Sequence, residues 1–432
     1  MTTLTIGGGQ VLRPDMTVER ADILVDSDAG EILAIGDADE VGNGDEYLDA
    51  SDGLVIPGLI NAHTHVAMTL FRGHADDKEL DAWLQEDIWP VEAELQADDV
   101  RAGALLGIAE MIRSGTTAFA DMYFFMDEVA DVVADTGIRA TLGHGCITVG
   151  KDDEQAHDDF KHSLDFARTY DGHADGRVQT MFTPHSLTTV DEKFYEEYIP
   201  VARDEGIPIH IHANETVNEV DPIVEEHDQR PLEYADSLDV LADDSFIAHG
   251  VHVDEDERDL LAERDTSVIH CPASNMKLAS GMAPVQKLLD ADVSVGLGTD
   301  GAASNNDLDM FDEMRDAAMV GKLATMDASA VPAEAVVRMA TEGSASALGI
   351  DSGRIEAGAN ADLAVVDLSG EHLKPPHNLV SHLAYAVRGS DVCHTVCDGA
   401  VLMEDRTLQT IDLDDVKDTA TERAHALVER AE

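Results

Sequence analysis

Two histidines two residues apart, His63 and His65, close a short apolar run that begins near Pro57. In a strand, side chains at i and i+2 share a face, so both imidazoles would address one point in space, as two ligands of one metal ion must. Imidazole is the commonest neutral nitrogen ligand. A bare pair at this spacing equally describes a polar pocket or a surface strand, and what lies downstream separates these readings. Later apolar runs end in His185, in His212 with Glu215 three residues on, in His249 and in Asp300. Three imidazoles and one Asp300 oxygen would hold a single divalent ion with a position open to water, whose pKa such an ion lowers from about 16 to near 7. Glu215 can then carry a proton to a substrate, while His249 and Asp300 orient and deprotonate the nucleophile. No Gly-x-Ser-x-Gly elbow accompanies these residues, which makes water the expected nucleophile.

A set scattered over so much chain needs a scaffold that gathers strand ends. Apolar runs ending in polar residues recur at Thr116–Asp121, Arg139–His144, Val178–His185, Ile207–His212, Ser245–His249, Thr266–His270 and Val293–Asp300. Segments of helical length with acidic starts lie between them, such as Asp98–Arg113, Asp127–Thr136, Glu192–Glu205 and Asp254–Glu263. The alternation predicts a (β/α)8 barrel over residues 57–350, with its active site at the C-terminal strand ends. Chance packing puts a histidine after one strand or two, not after strand upon strand. Residues 1–56 read as short strands, including Leu4–Ile6, Ile23–Val25 and Ile32–Ile35. A helical pair, Asp309–Thr325 and Pro332–Leu348, precedes renewed strand pattern at Gly353–Asp367 and Asp391–Met403, within 351–410. The two β units are expected to pair into one small composite β-sandwich domain built from both chain ends, with 411–432 as a surface helix.

Composition bounds the partners. The 432 residues carry 88 acidic and 28 basic side chains, a formal charge of −60 spread along the whole chain. Such a surface repels nucleic acid and anionic membranes, and it fits a halophilic protein in strong salt, where charges are screened within about 3 Å. No Asp-x-Asp-x-Asp-Gly calcium loop is present. Four cysteines, at 146, 271, 393 and 397, are too few and too far apart for a disulfide framework, and Cys393 and Cys397 are expected on one side of a strand as buried thiols. With no basic-then-apolar leader and no run of about 18 apolar residues, a cytoplasmic protein is expected.

Five segments then carry a family resemblance: Pro57–His65, His212–Glu215, Ala248–Gly250, His270–Asn275 with Lys277 and Leu278, and Gly298–Gly301. In this order they resemble the amidohydrolase superfamily, and within it the 5-methylthioadenosine/S-adenosylhomocysteine deaminases, from about residue 1 to 405. The resemblance implies hydrolytic removal of ammonia from 5′-modified adenosines around one divalent ion, zinc or alternatively iron, in a homo-oligomer. It makes His63, His65, His212 and Asp300 the metal ligands and Glu215 the group that protonates the ring nitrogen beside the attacked carbon. His249 polarises the attacking hydroxide, and His185 and, less strongly, Ser304 touch substrate. Leu80–Glu92 becomes a lid, with Glu92 on the ribose hydroxyls and Trp83 against the nucleoside; an amphipathic helix with core tryptophans is the competing description of the same stretch. One departure stands out. Where arginines would meet the substrate's tail, this chain has Gly143-His144-Gly145 and Lys151, a point charge without the bidentate fork. Asp121 is expected to support the ligands, His210 to fill the interior or support His212, and His270 and Asn275 to shape a loop. His157, His162, His173 and His252 are expected in solvent. Two other classes remain: a deaminase or chlorohydrolase of another aminated heterocycle such as guanine, a pterin or a triazine, and a non-catalytic metal-binding barrel scaffold.

Overall fold

The computed structural model describes residues 1–432 as an α/β chain. Eight strands follow the predicted runs: β1 (Leu59–Thr64), β2 (Thr116–Tyr123), β3 (Arg139–Cys146), β4 in two pieces (Val178–Thr180 and Thr183–Pro184), β5 (Ile209–Ala213), β6 (Ser245–His249), β7 (Ser267–His270) and β8 (Val295–Leu297). β1 to β4 form one parallel sheet and β5 to β8 another. Parallel strands need long crossovers, and helices such as Ala97–Arg113, Met126–Thr136, Asp153–Tyr170 and Glu192–Asp204 supply them. The two sheets meet at both seams. Bridges Phe182–Ile209 and Ser186–His212 join β4 to β5, and the Asp300 amide donates to the His63 carbonyl at 3.0 Å beside β1. At that second seam only glycine fits at position 298, because a Cβ there would come within 2.8 Å of the His63 backbone.

Both chain ends contribute to a seven-stranded sheet, in which Leu363–Asp367 runs antiparallel to Gly53–Pro57 with Ala364 opposite Ile56. A four-stranded sheet from the N-terminal segment, including Thr3–Gly7 and Asp22–Asp26, shares an apolar core with it through Ile6, Ile23, Val55, Leu363 and Val365. The alternate residues Leu54, Ile56, Ala364 and Val366 face the other way, into the main core. Two expectations fail here. The strand foreseen over Gly353–Asp367 begins only at Leu363, since Gly353 and Gly358 take left-handed turns and the buried Asp362 binds Arg139 at 3.1 Å. Cys393 and Cys397 do not share a side: a bulge in Val392–Cys397 turns Cys393 toward the terminal core and Cys397 toward the main one. All four thiols are free. The helix Leu413–Ala431 buries Val416, Ala420 and Leu427, and its Arg430 pairs with the buried Asp99. No helix is long and apolar enough to cross a membrane.

Candidate active site

The C-terminal ends of the strands open on a cavity of about 460 Å³ lined by His65, His185, His212, Glu215, His249 and Asp300 together with Glu92, Trp83 and Ser304. Below it, ligand atoms of His63, His65 and His212 lie within 4.8 Å of one another. Asp300 Oδ1 stands 3.2 Å from His65 Nε2 and 3.6 Å from His63 Nε2, and the Nε2 atoms of His65 and His212 are 3.3 Å apart. Strand geometry alone does not aim these rings; their far nitrogens do. His65 Nδ1 donates to the Met122 carbonyl at 2.6 Å and His212 Nδ1 to the His185 carbonyl at 2.8 Å, which leaves each Nε2 a lone pair. His210 Nδ1 donates to the Phe246 carbonyl, so its Nε2 accepts from His63 Nδ1 at 2.9 Å. His63 Nε2 is buried with no hydrogen-bond partner. Three neutral imidazole lone pairs and a carboxylate oxygen converging on one point are the donor set of a divalent ion.

Burial keeps two of these imidazoles neutral: it lowers His63 to about 4 and His212 well below its ordinary value. Burial also opposes a proton on His65, yet the Asp300 carboxylate outweighs it and lifts the ring to about 9. Proton and cation therefore compete for this pair, and cation binding must weaken as the pH falls. Asp300 is fixed on its other side by Ser274 Oγ at 2.6 Å and Ser304 Oγ at 2.8 Å. Asn214, His249 and Asp300 all hold left-handed backbone (φ +55°, +74° and +62°) where the strands give way to the site.

Around this centre, His249 Nε2 lies 3.7 Å from Glu215 Oε2, and Asn275 Nδ2 holds its Nδ1 at 3.0 Å. Burial and the charge of Asp300 raise Glu215 to about 8, so it stands protonated at neutral pH, as an acid must. His185 is half-buried, bonded through Nδ1 to Thr189 at 3.0 Å. The stretch Leu80–Glu92 is continuous helix with a π turn at Leu84–Ile88, just before Pro90, which cannot donate to the turn behind it. Trp83 is buried and Trp89 half-buried, and both line the cavity with Glu92. Glu92 Oε1 accepts from Tyr123 O–H at 2.6 Å, a pairing that nothing in the spacing announces.

Several smaller expectations change. His210 supports His63, not His212: the two share a face of β5, but His210 spans from the Phe246 carbonyl to His63 Nδ1 while His212 Nδ1 is held by the His185 carbonyl. Asn275 does more than shape a loop, since it orients His249. Asp121 acts on the backbone after His65, accepting from the Val66 amide at 3.0 Å, and Ser304 spends its hydroxyl on Asp300. His157 and His252 are not merely solvated: they bind Tyr198 O–H and the Ser280 carbonyl at 2.9 Å each. His270 is buried with both nitrogens unpartnered.

Glu219, unremarked in the sequence, holds the Glu215 amide at 2.8 Å from the helix Val217–His227. Burial, then the charge of Glu215, raises Glu219 to about 8. In the unfolded chain it ionises near 4.5. Stability owed to its retained proton is therefore whole below pH 4.5 and lost as the pH rises through 8. Glu219→Gln should match the wild type at pH 5 and exceed its unfolding free energy by on the order of 2 kcal/mol at pH 9, measured by denaturant titration. An equal difference at both pH values would contradict this.

Strand-end imidazoles, one carboxylate and a buried acid define a metal-dependent hydrolase of the α/β class. The chain belongs to the amidohydrolase family, which it matches over residues 54–402, and within it to the 5-methylthioadenosine/S-adenosylhomocysteine deaminases. It is 67% identical over 431 residues to the 5-methylthioadenosine/S-adenosylhomocysteine deaminase of Haloarcula marismortui, covering 100% of both chains. It is 43% identical to the 5′-deoxyadenosine deaminase of Methanosarcina mazei, covering 96% of this chain and 99% of that one. Among solved structures, an adenosine deaminase from Xanthomonas campestris with bound zinc superposes with a TM-score of 0.93 at 36% identity, covering 99% of this chain and 98% of that one.

Proposed function

We propose that the protein hydrolytically deaminates 5′-modified adenosines, converting the 6-amino group to a carbonyl and releasing ammonia. The observation that carries this reading is the approach of Glu215 and His249 to 3.7 Å of each other beside the converging ligand atoms. His63, His65, His212 and Asp300 would hold one divalent ion, zinc in our reading with iron as the alternative, which when bound supplies a Lewis acid that acidifies water. Glu215 presents its proton to the ring nitrogen next to the attacked carbon. His249, whose Nδ1 accepts from Asn275, donates from Nε2 to the oxygen of the incoming water. Asp300 accepts the water's first proton and hands it to the amino group, which leaves as ammonia, and Glu215 recovers its proton from the hydroxyl as the carbonyl forms. Glu92, steadied by Tyr123, accepts the ribose hydroxyls, while Trp83 covers the nucleoside and His185 touches the purine.

This reading includes a closed barrel over 57–350, a composite β-sandwich domain from 1–56 and 351–410, and a C-terminal helix at 411–432. It also places a homo-oligomer in the cytoplasm, without nucleic-acid or membrane partners. The test is a panel in high salt: 5′-methylthioadenosine, guanine, a pterin and a chlorinated triazine, followed by release of ammonia and, for the triazine, of chloride. Turnover of the nucleoside alone is expected; turnover of guanine or a triazine in its place would transfer the site to another heterocycle. Glu92→Ala should raise KM for 5′-methylthioadenosine by about 10- to 100-fold through two lost charge-assisted hydrogen bonds. Unchanged KM would remove Glu92 from the ribose.

A further inference from the structure

The cavity wall away from the ligand set has a charge pattern of its own. Of the lining residues, Glu92, Glu215 and Asp300 are acidic, and Lys151 alone carries a fixed positive charge. That charge is already engaged: Lys151 Nζ lies 2.7 Å from Asp159 Oδ2. Asp159 Oδ1 is 3.0 Å from His144 Nε2, and Oδ2 also accepts from the Ile147 amide at 3.3 Å. Burial works against ionisation of Asp159, but His144 and Lys151 outweigh it and hold the carboxyl below its ordinary value. Asp159 sits within the long helix Asp153–Tyr170, whose start is fixed by a reciprocal Asp152–Gln155 cap, so the pair is not a loose surface contact. Leu84, Ile88, Phe124, Ile147 and Val149 are among the other residues that line the cavity with Lys151.

With the purine at Glu215 and the ribose hydroxyls at Glu92, the 5′ substituent is the part of the ligand left to meet these residues. We infer that this wall is a subsite for short, uncharged 5′ substituents such as methylthio, and that the Lys151–Asp159 pair withholds a counter-charge from amino-acid tails such as homocysteinyl. The inference rests on the nucleoside reading above. A thioether methyl gains by leaving water against aliphatic and aromatic side chains. A tail carboxylate finds no free cation there, only a lysine already paired.

The experiment measures kcat/KM for 5′-methylthioadenosine and S-adenosylhomocysteine side by side, on the full chain in one high-salt buffer. The ratio within one preparation does not depend on how much of it is folded. The wild type should favour 5′-methylthioadenosine by at least about tenfold, the worth of one missing charge-assisted hydrogen bond. Val149 is 49% exposed, and Val149→Arg, which brings a guanidinium to the subsite, should move the ratio about tenfold toward S-adenosylhomocysteine. Asp159→Asn, which frees Lys151, should move it the same way by less. A wild-type preference for S-adenosylhomocysteine, or a ratio that neither variant moves, overturns the subsite while leaving the deaminase reading intact. Turnover of neither substrate overturns both.

Discussion

Glu215→Gln should lower kcat for 5′-methylthioadenosine by about 10²–10⁴-fold while leaving bound metal at wild-type stoichiometry. The substitution keeps shape and hydrogen-bonding reach but removes the one proton that can reach a ring nitrogen from this side. Glu215 is built to keep that proton, since burial and the neighbouring Asp300 raise it to about 8. Its carboxyl is not tied up in other bonds, having only a 3.5 Å approach from Ser280 Oγ, whereas its backbone is clamped by Glu219. Proton donation is therefore free to act from a fixed position. Steady-state kinetics beside metal analysis check this, because a scaffold would lose nothing with Glu215→Gln.

His212→Ala should remove both metal and activity, for a reason unlike that of Glu215. With its Nε2 gone, the remaining donors are His63, His65 and Asp300, and Asp300 loses the cation that balances its buried charge. The loss should exceed that of His210→Gln, which touches no ion and only steers His63, an effect worth about 10–100-fold in metal affinity. Measuring the zinc dissociation constant of both variants ranks the two roles; equal losses would mean that His212 is not a ligand.

The eight strands and the gathering of His63, His65, His212 and Asp300 were legible because each rests on local pattern. His63 lies in the strand Leu59–Thr64 and His65 follows directly after its end, while His212, His249 and Asp300 each end an apolar run, so position suffices. What stayed hidden depends on contacts between residues remote in sequence. Asn275 reaches His249, His210 reaches His63 and Tyr123 reaches Glu92 only once the strands stand side by side. No spacing rule encodes such pairs. The bulge that separates Cys393 from Cys397 was hidden for a different reason: one extra residue inverts a facing pattern without changing composition. Lys151 shows the same limit, since its charge was visible in the sequence and its neutralisation by Asp159 was not.

The most direct test of the central claim is a zinc titration of metal-stripped protein, with ammonia release from 5′-methylthioadenosine as the readout. If His63, His65, His212 and Asp300 hold a single ion that the chemistry needs, activity rises from near zero and breaks sharply at one equivalent per chain. Full activity after stripping, or a rise with no break at one equivalent, would contradict the account.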